Sequence, residues 1–200
     1  MTPFSITTAG SIDLDALAVA LAPRLAALNP TSPPPVVTPP PTTGVFWVYY
    51  NGQFNWAGDF SFDTGPINYQ DTAGVPLSGQ FDIAVPIVSK FGGYQPFAPG
   101  AKFDTTPYNY LIVSLKPTNA GAIFATGFAA VNDQPDGVPV TFAGPGITQY
   151  GPVPVPGQWG SYKIPLKAFN LTQPILKFSI AAAAGIAPDL FYVDNLGFSV

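Results

Sequence analysis

From Gly44 to Val200 the chain alternates short apolar stretches with turn-forming residues, and the last stretch sets the frame for the others. Residues 190–200 read LFYVDNLGFSV. Side chains on a strand alternate between its two faces. If Phe191 and Val193 face a core, strict alternation therefore sends Leu196 and Phe198 the other way. All four reach one core only if a bulge at Asp194–Asn195 resets the register. The segment reads as the closing strand of a β-sandwich, with the other strands arranged to pair with it.

The stretch GVFWVYY (44–50) is apolar on both faces, which predicts a central, covered strand with Trp47 in the core. FNWAGDFSFD (54–63) puts Asp59, Ser61 and Asp63 on one face and Phe60 and Phe62 on the other. QFDIAVPIV (80–88), YNYLIVSLK (108–116), AIFATGFAAV (122–131), GSYKIPL (160–166) and ILKFSIAAA (175–183) complete the set. Turn signals such as GVPLSG, FAPG and NDQPDG separate them. Seven or eight strands in this arrangement predict an all-β, antiparallel β-sandwich or jelly roll over 44–200.

The first 43 residues follow different rules. Residues 11–29 read as a helix: Ser11 can cap it, and Asp13 and Asp15 lie in its first turn, where the helix dipole favours anions. Leu14, Leu17, Leu21, Leu25 and Leu28 recur at helical spacing as one apolar stripe, and Pro23 breaks or kinks the run. A helix this short needs a surface to pack on. The chain that follows, PTSPPPVVTPPPTT (30–43), holds seven prolines and reads as a polyproline spacer reaching on the order of 40 Å. The expectation is thus an N-terminal arm and anchor helix (1–29) docking on another protein, a proline-rich linker (30–43), and a head domain (44–200).

Composition narrows the chemistry. Charged residues are only 9% of the 200, and the net charge is −4. The seven basic residues stand singly, so nothing forms the basic patch that nucleic acid or an anionic membrane surface requires. There is no histidine, cysteine or glutamate. That excludes thiol nucleophiles, histidine triads, disulfides and thiolate or imidazole zinc sites. No basic leader precedes the first apolar run, which Asp13, Asp15 and Arg24 interrupt; export by the standard route is not expected. No segment is long and apolar enough for a membrane span. A glycosidase pair is not expected either. Asp59 and Asp63, four residues apart on a strand, stand about 13 Å apart, beyond the roughly 5–9.5 Å that glycoside hydrolysis uses.

The order VYYNGQFNWAGDFSFD, LSGQFDIAV, GGYQPF, FDTTPYNYLIVSLKP, GQWGSYKIPLKAF and LFYVDNLGF resembles the jelly-roll carbohydrate-binding modules of the galactose-binding-domain-like superfamily. The strongest pieces are W-x3-K-I-P-L at 159–166 and the terminal F-Y-V-D-N. The resemblance implies two antiparallel sheets, glycan binding without catalysis, and often a structural Ca2+. The closing-strand aspartate that ligates this ion in the family falls on Asp194; its partner acid falls near Asn51, an amide here. Asp194 can equally accept hydrogen bonds from the N–H groups of a neighbouring loop.

Sugar recognition calls for rigid aromatic faces beside groups that bond hydroxyls. The candidates are Trp56, Tyr69, Tyr94, Tyr150 and Trp159, with Asp59, Asn68, Gln70 and Gln95 as polar partners; Trp56 and Tyr94 lead. A helix, a stiff spacer and a sugar-binding head suit a phage virion spike or fibre reaching host surface polysaccharide, several copies adding avidity. The alternatives are a decoration protein that cements a shell without binding sugar, and an extracellular accessory module.

Overall fold

The computed structural model describes residues 44–89, 92–98, 100, 102–130, 133–183 and 189–200. The expected helix, its leucine stripe and the proline-rich segment lie outside the described residues.

Two antiparallel sheets face one another. In the first, β13 (Leu190–Ser199) is the axis. One edge of β13 pairs along its length with β8 (Tyr110–Pro117), which pairs in turn with β11 (Gly160–Pro165). Its other edge is shared. The first half pairs with β5 (Asp82–Pro86), which carries β4 (Asn68–Asp71). The second half pairs with β1 (Val45–Tyr50), which carries β2 (Gln53–Phe54).

The second sheet is built on β12 (Ile175–Ala182). It joins β9 (Phe124–Ala130) and then β10 (Pro135–Ala143) on one side. On the other side come β6 (Gly93–Tyr94) and β7 (Pro96–Phe97), with β3 (Gly58–Asp59) beyond β7.

The closing strand carries the bulge that its pattern demands. Asp194 pairs with Ser114, yet the next partners are Gly197 and Ile112, so three steps on β13 meet two on β8. Asn195 takes up the extra residue in the left-handed region, at φ 47°. Phe191, Val193, Leu196 and Phe198 are consequently all fully buried in the core between the sheets. Strand β12 has its own register shift, between Ile175 and Lys177, which turns both Ile175 and Phe178 inward. Phe124 and Phe128, and Phe178 and Ile180, point inward, while Ala125, Gly127, Ala129, Lys177, Ser179 and Ala181 form the outer face of the second sheet.

Two expectations for the early strands are corrected. The stretch 54–63 is not one strand: β2 lies in the first sheet and β3 in the second, so the chain crosses between layers. Trp47 is not in the core. A register shift between Trp47 and Tyr49 turns both Val48 and Tyr49 inward. Trp47 is left half-buried, stacked on the exposed Tyr50 at 4.9 Å.

Candidate functional site

The outer face of the second sheet has a floor of small residues beside a raised wall. Gly127 lies opposite Ser179 on the neighbouring strand, flanked by Ala125 and Ala129. Across the β9–β10 ladder, Asp136 pairs with Phe128 and Val140 with Thr126, so Gly137, Val138 and Pro139 all stand against Gly127. This two-residue excess makes β10 arch away and raises one wall. The result is a groove of about 360 Å³ whose lining includes Gln95, Gly127, Asp133, Pro139, Lys177 and Ser179. Its floor is open at Gly127, where an added Cβ would come no nearer than 3.6 Å to Pro139.

Aromatic rings flank the groove beyond Lys177, which pairs with Phe97 across the β12–β7 ladder. Phe97 rests over Gly58, where a Cβ would lie 2.8 Å from its ring, so only glycine permits that seat. Phe60 stacks on Phe97 with centroids 4.5 Å apart and the rings 26° from parallel, and it is 54% exposed. Phe62, also exposed, lies over Gly93 in the same way. Lys177 links the groove to the rings. Its ammonium lies 5.2 Å from the Phe60 centroid and 2.6 Å from Asp133 Oδ1. The Lys177 side chain is only 14% exposed whereas Asp133 is 62% exposed, so the pair holds a charged donor at the floor and an acceptor at the rim.

Asp136 sustains the wall. Nearly buried, it accepts hydrogen bonds from Thr172 N at 3.0 Å, Thr172 Oγ1 at 2.6 Å and Gln173 N at 3.3 Å. Burial works to raise its pKa, but these bonds outweigh that and hold it below the ordinary carboxylate range.

Of the residues singled out in the sequence, Gln95 alone lines this groove. Trp56 and Tyr94 belong to the core. Trp56 is 5% exposed and packs on Phe103, Phe178 and Phe198; Tyr94 is fully buried. Tyr69 is half-buried, its hydroxyl donating to Asp59 Oδ2 at 2.5 Å, so Asp59 and Tyr69 satisfy each other. Trp159 sits at the first sheet, where its Nε1 donates to Val75 O at 2.9 Å and Lys116 Nζ lies 5.4 Å from its ring. Tyr150 is half-buried and packs against the core. Asn68 and Gln70 are exposed on β4, in the first sheet, away from the groove.

The residues that sequence reasoning missed are Phe60, Phe62, Phe97, Lys177, Ser179 and Asp133. One signal was available. In GDFSFD the acids and aromatics alternate, which leaves open which set faces water, and the phenylalanines do.

No protein-family profile matches this chain, and no curated protein does. Solved structures do. The family 30 carbohydrate-binding module of a cellulosomal cellulase of Clostridium thermocellum aligns with a TM-score of 0.52 at 18% identity, over 70% of this chain and 90% of the module. A family 29 carbohydrate-binding module complexed with cellulohexaose gives a TM-score of 0.52 at 11% identity, over 78% of this chain and 89% of that one. An exo-β-agarase gives 0.53 at 11% identity, but the 78% of this chain that aligns spans a quarter of the enzyme. At these identities the likeness establishes the fold, an antiparallel jelly-roll sandwich of the carbohydrate-binding-module type.

Proposed function

We propose that residues 44–200 form a noncatalytic glycan-binding domain whose site is the groove on the outer face of the second sheet. The observation that carries this reading is the meeting of an exposed aromatic stack, Phe60 on Phe97, with the Lys177–Asp133 pair, Gln95 and Ser179 along one small-residue floor. Apolar ring faces suit the CH faces of a pyranose, and the polar groups suit its hydroxyls. The fold supports the reading by analogy only, since a fold does not fix a function.

In this reading residues 1–43 anchor the head to a larger assembly, a virion spike or fibre, and the glycan is a host surface polysaccharide. The rival is a decoration protein whose jelly roll serves as shape alone. Affinity electrophoresis of the full chain through gels containing soluble polysaccharides separates them. Retardation by at least one polysaccharide, abolished by Gly127→Leu with the fold intact by circular dichroism, supports a glycan groove. Unretarded migration on every gel favours the decoration protein.

A further inference from the structure

The structural calcium that the resemblance implies at Asp194 and Asn51 does not fit the residues found there. Calcium takes six to eight oxygen ligands, with carboxylates prominent among them. Asp194 is fully buried, and both of its oxygens are already engaged: Oδ2 by Ser78 N at 2.9 Å and Oδ1 by Asn195 N at 2.7 Å. Asn51 Oδ1 accepts a hydrogen bond from Gln80 N at 2.8 Å. Gly79, at φ 69°, is pressed so close that an added Cβ would lie 2.0 Å from Asn51 Oδ1, so loop backbone fills the space beside the amide. Among the described residues no three acidic side chains are grouped to hold a metal ion.

The same loop is tied down along its length. Gly74 N donates to Asp71 Oδ2 at 2.8 Å, and Lys116 Nζ donates to Gly74 O. Trp159 Nε1 holds Val75 O, and Ser78 Oγ donates to Asn195 Oδ1 at 2.7 Å. With Ser78 N on Asp194 and Gln80 N on Asn51, six side chains of the first sheet and its flanks hold residues 74–80. Under the loop lies Asp82, completely buried, neither oxygen hydrogen-bonded, and opposite Asp71 across the β4–β5 ladder. Burial and the facing carboxylate both disfavour the ionised form of Asp82, which holds its proton more tightly than an ordinary carboxyl, and a nearby cation offsets this in part. The charge of Lys116 favours the ionised form of Asp82, and its ammonium lies 5.5 Å from the Tyr192 ring and 5.4 Å from that of Trp159.

We infer that this domain secures its 74–80 loop without a divalent cation, Asp194 and Asn51 binding the loop backbone directly and Lys116 supplying the positive charge. An amide at position 51 is then a functional choice: it accepts the Gln80 N–H without adding a charge to three nearby aspartates.

Thermal unfolding of the full chain in excess chelator and in millimolar calcium tests this. An ion that binds only the folded state raises the melting temperature by mass action. The expected result is one melting temperature in both conditions, with Lys116→Met melting lower by the same margin in each. A wild-type melting temperature that drops several degrees in chelator and returns with calcium overturns the inference and sends the ion to Asp82 and Asp71. A Lys116→Met variant as stable as wild type refutes the counter-charge. The wild-type comparison stays decisive even if the variant does not fold.

Discussion

Replacing Trp56 separates a core residue from a sugar platform. Its ring contacts Phe103, Phe178 and Phe198 at centroid distances of 5.5, 5.2 and 6.1 Å, and it is 5% exposed. Burying a tryptophan removes about 200 Å² from water, or about 5 kcal/mol at 25 cal/mol per Å², in line with the 3–5 kcal/mol that Trp→Ala changes cost. The indole N–H has no hydrogen-bond partner, so deleting it returns about 1–2 kcal/mol. Trp56→Ala should therefore cost about 3 kcal/mol. Trp56→Phe, which keeps an aromatic ring but loses part of the indole volume along with the orphaned donor, should cost less, about 1–2 kcal/mol. Urea unfolding followed by circular dichroism reads both as midpoint shifts at constant slope. A Trp56→Ala variant as stable as wild type but unable to bind glycan would refute the core assignment.

Other outcomes follow from single positions. Gly127→Ala should leave stability within about 0.5 kcal/mol, because its Cβ would make ordinary contact with Pro139, no nearer than 3.6 Å. Gly137→Ala should lose several kcal/mol in the same urea assay, since φ is 71° and the new Cβ would meet Phe169 O at 1.9 Å. Burial, then the charges of Asp71 and Asp194, push Asp82 up to about 7. Between about pH 4 and 7 the folded chain thus keeps a proton that the unfolded chain has lost, and stability falls as pH rises through that window. Wild type should be more stable at pH 5 than at pH 8 and Asp82→Asn should flatten the difference; a wild-type midpoint that rises with pH contradicts this. Asp136→Ala should cost about 1–3 kcal/mol by leaving the Thr172 and Gln173 N–H groups without their acceptor, read by the same unfolding curves.

The sequence carried the sandwich and its closing strand further than it carried the site. Strict alternation in LFYVDNLGFSV cannot bury Phe191, Val193, Leu196 and Phe198 on one face, so side-chain period marked Asp194–Asn195 as the place for a bulge should all four share a core. The long strands β8, β9, β11 and β12 were legible for the same reason. β4, β6 and β7 were not: each is two to four residues long and rich in polar residues, proline or glycine, and only pairing defines them. NDQPDG read as a plain turn, yet Pro135 and Asp136 begin β10, whose arch depends on a ladder that local pattern does not reveal. The candidate groove was passed over through a preference for Trp and Tyr as sugar platforms. Trp56 and Tyr94 fill the wide space between two sheets, while Phe60 and Phe97 lie outside, because Gly58 leaves a ring-sized gap in the outer surface.

The central claim is the position of the glycan site, and a glycan array read with three proteins tests it most directly. The full-length wild type, Phe60→Ala/Phe97→Ala and Trp47→Ala/Tyr50→Ala would be displayed multivalently on the same array. The second pair is an aromatic stack on the outer face of the first sheet, half-buried Trp47 on exposed Tyr50. Binding by wild type and by the Trp47/Tyr50 variant, lost in the Phe60/Phe97 variant, is the predicted result. Binding that survives loss of Phe60 and Phe97 but not of Trp47 and Tyr50 would contradict the account and move the site to the opposite sheet.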